Sequence, residues 1–234
     1  MSKLPIGKIT ANKDLFYVLG ALLGDGCTYD WKNYRYTILV GDEKFTKKYS
    51  EKLANCSDKK AKAYIDRSKN IWFVRINNFE LYALFKKIRN DINYLQQLIE
   101  QNGKNAALLF IEGFFDAEGC VKIIKEKVRK TPKICPDITN TNFEFLEIVR
   151  KLLKQHLDID AKYSSQEAFI GKDGSPRQKI YHLRIYKKEY VKRFLENINT
   201  TKLKAEKISF VEKWLENCTT SSMPSYEILP LSPS

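Results

Sequence analysis

The sequence predicts an α+β fold of two pseudo-symmetric αββαββα halves, each an antiparallel sheet with helices on one face and with its motif helix packed at the interface between them. Three observations predict it: an internal repeat, a change from helical to alternating hydrophobic period within each copy, and enough apolar residues for a sizeable core. The repeat opens at Tyr17-Val18-Leu19-Gly20-Ala21-Leu22-Leu23-Gly24-Asp25-Gly26-Cys27 and returns at Phe110-Ile111-Glu112-Gly113-Phe114-Phe115-Asp116-Ala117-Glu118-Gly119-Cys120. A shift of 93 carries Gly20 onto Gly113, Asp25 onto Glu118, Gly26 onto Gly119 and Cys27 onto Cys120. Downstream, Arg75-Ile76-x-x-x-Glu80-x-x-x-x-Phe85 recurs as Arg184-Ile185-x-x-x-Glu189-x-x-x-x-Phe194 at a shift of 109, so the second copy carries 16 more loop residues. Such self-similarity marks a diverged tandem duplication, with halves at 1–102 and 103–218 and a Ser-, Thr- and Pro-rich tail at 219–234 that reads as flexible.

Each copy is expected to run through the same elements. An apolar helix (13–24; 105–117) ends at a carboxylate and a glycine. A hairpin follows, with strands at 28–31 and 35–40 in the first copy and at 121–128 and 133–139 in the second, rich in β-branched and aromatic residues. The next helix (43–55; 142–156) shows apolar residues such as Phe145, Ile148, Val149 and Leu152 at helical spacing. A second hairpin (62–76; 161–185) turns at Ser68-Lys69-Asn70 and at Gly171-Lys172-Asp173-Gly174, and terminal helices close each copy.

Composition narrows the class. Of 234 residues, 41 are Lys or Arg and 28 Asp or Glu, a formal net charge of +13, so the natural partner is a polyanion. The halves carry +7 (18 basic, 11 acidic) and +6 (23 basic, 17 acidic), so both share it. With 43% hydrophobic and 12% aromatic residues, a disordered basic tail is excluded. Five cysteines without a C-x-x-C pair, and only two histidines, argue against a zinc site or a disulfide framework. The longest apolar run, residues 15–24, is too short to span a membrane, and with no signal-peptide pattern the expectation is a reduced, intracellular protein that does not engage a membrane.

A helix apolar nearly all round is a buried one, and two copies of it can pack together. Gly20 and Gly24 share a face and Gly113 matches Gly20, so the backbones can approach closely there. Asp25 and Glu118 would then emerge side by side, and two adjacent carboxylates need a counter-charge to remain ionised. Divalent metal meets that need, with hard oxygen ligands from Asp25, Glu118 and the backbone carbonyls of Gly24 and Ala117.

The segments 18–26 and 111–119 resemble the two motifs of a single-chain LAGLIDADG homing endonuclease, of the archaeal intron-encoded kind, and the resemblance extends over nearly the whole chain. It implies a monomeric, site-specific endonuclease that uses Mg²⁺, with Mn²⁺ or Ca²⁺ able to substitute in binding, and that cuts both strands of a long, asymmetric double-stranded DNA target across the minor groove. The signature acid of each motif falls on Asp25 and Glu118, while the sixth motif position holds Leu23 in one copy and Asp116 in the other, making Asp116 a poor candidate for catalysis. By the same resemblance Asn140 takes the place of a strand-end amide that positions water, its first-copy counterpart being Gly41 or Asp42, and the active-site cation is either Lys122 or Lys204. A maturase that binds its host intron RNA and a non-catalytic DNA-binding regulator are the alternatives on the same scaffold. Cys27 and Cys120, though equally placed after the carboxylates, read as small fillers rather than ligands of a soft metal.

The strands and hairpin tips supply the candidate DNA contacts. In the first copy these are Tyr29, Trp31, Lys32, Arg35, Tyr36, Lys62, Tyr64, Arg67, Lys69 and Arg75. In the second they are Lys122, Lys125, Lys127, Arg129, Lys130, Lys133, Lys162, Ser164, Gln166, Arg177, Gln178, Lys179, His182 and Arg184. Tip cations reach phosphates whichever way a strand faces, and a two-stranded ribbon carrying Arg and Gln fits the major groove and reads base edges there. Arg75 and Arg184, each just before a helix, have a structural role as their other reading.

Overall fold

In the computed structural model the described residues are 8–124, 132–203 and 209–215. The expected contacts Lys125, Lys127, Arg129 and Lys130, the candidate Lys204 and the tail 219–234 lie outside them. The first half comprises α1 (Lys13–Asp25), β1 (Gly26–Trp31), β2 (Tyr34–Gly41), α2 (Glu43–Cys56), β3 (Ala63–Asp66), β4 (Ile71–Asn77) and α3 (Phe79–Asn90). Next comes α4 (Ile92–Glu118), and then β5 (Gly119–Ile124), β6 (Lys133–Asn140), α5 (Phe143–Leu157), β7 (Lys162–Gln166), β8 (Phe169–Ile170), β9 (Pro176–Arg177), β10 (Ile180–Arg184) and α6 (Lys188–Asn197). A further helical stretch covers 209–215.

The two four-stranded antiparallel sheets have the same order, β1-β2-β4-β3 and β5-β6-β10-β7. Their registers also coincide: Gly26 faces Leu39 and Leu39 faces Val74 in one, Gly119 faces Ile138 and Ile138 faces Leu183 in the other. Leu39, Val74 and Ile76 in the first sheet, and Val121, Ile134, Ile138 and Leu183 in the second, turn to the helices and are buried. Alternation puts their neighbours on the open face.

Two differences from the sequence reading have local causes. The second motif helix begins just after Gly103, as expected, but no loop precedes it: α4 runs from Ile92 and leaves helical geometry only at Gly103 (φ 74°, ψ −166°). A residue without Cβ takes that left-handed angle at little cost, so one residue turns the closing helix of the first copy into the motif helix of the second. The hairpin expected over 161–185 is interrupted, because its tip forms a separate two-stranded ladder, Phe169 opposite Arg177 and Ile170 opposite Pro176. This tip accounts for much of the extra loop length of the second copy.

The motif helices form the centre of the molecule. Every residue of α1 from Asp14 to Leu23 is buried, and so is 110–116 of α4. A Cβ on Gly20 would lie 2.2 Å from the Phe110 carbonyl oxygen and 2.9 Å from the Phe114 nitrogen; on Gly113 it would lie 2.1 Å from the Tyr17 oxygen and 2.9 Å from the Ala21 nitrogen. The contacts are exchanged by the shift of 93, as a pseudo-two-fold axis through the crossing requires. Backbone meets backbone there, which only glycine permits.

Candidate active site and nucleic-acid face

Asp25 is the last residue of α1 and Glu118 the last of α4, each followed by a glycine in extended backbone that begins a strand. The crossing brings these ends together: a Cβ on Gly24 would sit 2.4 Å from the Ala117 Cβ and 2.9 Å from the Glu118 Cγ. Burial first, and then the charge of Asp25, push the Glu118 carboxyl up to about 7, against the opposing pull of an Asn140 hydrogen bond and of Lys202. Lost hydration also raises Asp25; Lys202 draws it back and Asp42 adds to the rise. The pair therefore favours a proton or a cation at its centre.

The site is not symmetric. Asn140 Nδ2 donates to Glu118 Oε1 (2.8 Å), and Asn140 Oδ1 accepts from the Asn142 nitrogen (2.7 Å), which fixes the direction of the amide. Counting two residues on from Leu39 and Ile138, which share a register, the first-copy position of Asn140 is Gly41. Asp42 caps α2 instead, accepting from the Phe45 nitrogen (2.9 Å). Glu118 thus has an amide partner at its strand end, whereas the matching place in the first copy is a glycine with no side-chain amide to offer Asp25.

Of the two lysines expected near the carboxylates, Lys204 lies outside the described residues and Lys122 is paired with Asp137. Among the described residues, the cation whose charge acts on both Asp25 and Glu118 is Lys202, which the sequence did not single out. Its place is set by a buried polar cluster. Asp116, fully buried, accepts from Tyr17 Oη (2.8 Å), Lys48 Nζ (2.8 Å), Thr200 Oγ1 (2.7 Å) and the Thr201 nitrogen (2.7 Å), and Glu112 holds the Asn199 nitrogen (3.2 Å). These bonds pin 199–201 against α4, and the Lys202 nitrogen then donates to Thr200 Oγ1 (3.0 Å) while its ammonium lies 5.6 Å from the Phe45 ring. Asp116 is a structural anchor, with its donors coming from three separate parts of the chain. No local pattern around Lys48 or Lys202 could have revealed this, because both are ordinary lysines in a lysine-rich sequence.

On the open face of the first sheet, Tyr29 pairs with Tyr36 and Trp31 with Tyr34. Trp31 and Tyr34 stack at 6.4 Å and Tyr34 and Tyr36 at 5.8 Å; Lys32 caps Trp31 at 4.9 Å and Arg75 caps Tyr36 at 5.2 Å. Tyr64 lies beside Phe73, while Lys62, Arg67 and Lys69 flank or lie in the turn and are exposed. Arg35 differs from expectation. Its register partner is Asp30, with which it forms a 3.7 Å ion pair, and it points to the face opposite Tyr34 and Tyr36.

On the second sheet, Lys162, Ser164 and Gln166 alternate on β7 opposite Arg184, His182 and Ile180, so they share the open face. Arg184, His182 and Lys122 are drawn there to one carboxylate, Asp137, which is fully buried. Burial opposes its charge, but bonds from Lys122 and Arg184 outweigh this and hold its pKa below the ordinary value. The two repeated arginines therefore differ: Arg184 is tied to Asp137, while Arg75 faces Ile38 in the equivalent register and remains exposed over a ring. Lys162, Arg177 and Lys179 form surface ion pairs with Asp160, Asp173 and Glu167, and Gln178 is exposed between the last two. Such exposed pairs are weak enough to be exchanged for phosphate. Lys133 sits half-buried at the start of β6. Cys27 is exposed and Cys120 half-buried, and among the described residues the buried cysteines are Cys56 and Cys135. Among the described residues there is no cluster of three or more His, Cys, Asp or Glu side chains able to hold a metal, and no helix is long and apolar enough to cross a membrane.

Two motif helices crossing at glycines, each leading from a carboxylate into a four-stranded sheet, define the two-motif LAGLIDADG fold. Residues 105–199 match the family model described as a LAGLIDADG-like domain. Among solved structures, the chain is similar to the homing endonuclease I-DmoI in complex with DNA and Ca (TM-score 0.54, 19% identity, covering 86% of this chain and 97% of that one). It is similar also to I-DmoI in complex with DNA and Mn (TM-score 0.51, 19% identity, 82% and 98%) and to the N-terminal LAGLIDADG domain of WhiA (TM-score 0.54, 15% identity, 87% and 89%). Comparison with curated proteins finds no match.

Proposed function

We propose that the chain is a single-chain homing endonuclease, hydrolysing both strands of a long, asymmetric DNA target with divalent metal. The observation that carries the reading is the pairing of Asp25 and Glu118 at the ends of the crossed helices, with an open face bearing cations on either side. I-DmoI, whose fold this chain shares, is described in complex with DNA and Ca or Mn. Residues 1–102 and 103–218 each supply one carboxylate and one DNA-binding face, so a monomer suffices.

The donor set fits a hard cation. Asp25 and Glu118 offer carboxylate oxygens, the helix ends offer the carbonyls of Gly24 and Ala117, and the Glu118 carboxyl, raised first by burial and then by the charge of Asp25, is one whose ionised form a cation would favour. When bound, Mg²⁺ activates water and stabilises charge on the phosphate and the leaving 3′ oxygen. Asn140, held by Asn142 and bonded to Glu118, orients water or the carboxylate at that centre, and Lys202 offsets the charge of the carboxylate pair. The aromatic and cationic face around Tyr36 and Arg75, and the face of Lys162, Ser164 and Gln166, hold the duplex on either side.

The test is cleavage of a randomised DNA library with Mg²⁺, followed by sequencing of the ends. Cuts at one recurrent sequence are expected. Asp25→Asn and Glu118→Gln should each abolish double-strand cutting with DNA binding largely retained, since amides bind Mg²⁺ poorly. Full activity in either variant would remove that carboxylate from the mechanism. Specific binding without cleavage would point instead to a regulator, and a requirement for intron RNA to a maturase.

A further inference from the structure

Beside Glu118 lies a cleft of about 480 Å³ whose walls come from both halves of the chain. The second half contributes Glu118, Asn140 and Phe145; the first contributes Gly24 and, from α3, Lys86 and Arg89. Both cations are exposed, and neither forms an ion pair among the described residues. Lys86 Nζ donates to Tyr82 Oη (2.9 Å), which donates to Asp30 Oδ2 (2.9 Å), so its ammonium is held at the wall by a neutral partner. Arg89 lies 5.6 Å from the Phe85 ring, a contact that leaves its planar fork of donors unused.

Near the carboxylate pair a cation is also exchanged between the halves in the other direction. There Lys202, from the second half, lies over Phe45, the third residue of α2, as Phe145 is the third of α5. Phe145 lines the cleft together with Lys86 and Arg89 of the first half, and Phe45 of the first half meets Lys202 of the second.

We propose that the cleft is a phosphate subsite for the DNA strand served by Glu118, with Lys86 and Arg89 binding non-bridging phosphate oxygens. The assignment rests on the nuclease reading and extends it. The ligand is a phosphodiester because the two cations come with an amide donor and a carboxylate suited to a hard cation, whereas an anion without metal would be repelled by Glu118. Arg89 offers two parallel donors to one phosphate and Lys86 a point charge beside it. Each half thereby supplies part of the other half's strand-cutting site.

The experiment uses the full chain, a supercoiled plasmid bearing the selected target, and a label on each strand. The strand whose cutting is lost in Glu118→Gln identifies the Glu118 side. In the double variant Lys86→Met, Arg89→Met that same strand should be cut roughly 10- to 100-fold more slowly, with the other within about twofold, so nicked circles accumulate. Arg89→Lys in the Lys86→Met background should restore part of the rate. Both side chains are exposed, so the fold should survive, and a general loss of folded protein would slow both strands alike. Equal slowing of the two strands, or none, overturns the subsite while leaving the nuclease reading intact. An unaltered chain that cuts no target overturns the nuclease reading and this assignment with it.

Discussion

At Glu118, the proposed metal-binding role and stability pull in opposite directions. Its carboxyl is raised from 4.5 to about 7. Its contribution to stability is therefore fully present below the unfolded-state value and is lost as pH rises through 7, where the folded protein must carry a poorly hydrated charge. In metal-free protein, Glu118→Gln should be more stable than the unaltered chain at pH 8 by about 1–2 kcal/mol, after discounting for partial exposure, and equal to it at pH 4. Urea unfolding at the two pH values measures this, and a variant that is less stable at pH 8 would mean that the carboxylate is already compensated. Residues of this kind were legible in the sequence only where repetition marked them. Asp25 and Glu118 stand at matching places, whereas Lys202, Lys48, Lys86 and Arg89 stand out only because the fold brings them near groups distant in sequence. Asp137 shows the limit from the other side: its counterpart is Ile38, so nothing in the repeat pointed to the carboxylate that gathers Lys122, His182 and Arg184.

At the scale of elements, the crossing of α1 and α4 determines whether the two carboxylates meet at all. A Cβ at Gly20 or Gly113 would approach a carbonyl oxygen to 2.2 or 2.1 Å, and those oxygens belong to helix backbone that cannot move alone. Gly20→Ala and Gly113→Ala should each cost about 2 kcal/mol or more through overpacking, and the leucine variants should fail to fold or should separate the carboxylates. Thermal unfolding together with the cleavage assay distinguishes the two results; a stable, active Gly20→Leu, Gly113→Leu double variant would mean that the helices do not cross there. The helices and sheets themselves were legible because period and turn residues agreed in both copies. That the closing helix of the first copy passes into the motif helix of the second through Gly103 alone was not, since a glycine between two helical patterns ordinarily reads as part of a longer loop. The ladder of β8 and β9 was missed because two-residue strands carry no period.

At the scale of the whole molecule, charge is shared almost equally, +7 and +6, so both halves should contribute to the salt dependence of DNA binding. With about six to ten phosphates contacted, the logarithm of the binding constant should fall with the logarithm of salt at roughly −0.9 per contact. Removing Arg67 and Lys69 from the turn of the first half, or Arg177 and Lys179 from the second, should make the slope shallower by about 1–2. Because these residues lie at or beside hairpin tips, they are assigned to phosphates and should weaken specific and unrelated DNA alike. Arg75, exposed over Tyr36 on the open sheet face, is expected to behave differently, with Arg75→Ala lowering affinity for the selected target by about 1–3 kcal/mol and scarcely changing that for unrelated DNA. Titrations of fluorescent duplexes at several salt concentrations separate these outcomes. If either tip variant weakens only the specific complex, that tip reads bases; if Arg75→Ala weakens both complexes equally, the open face of the first sheet holds the backbone and sequence is read elsewhere.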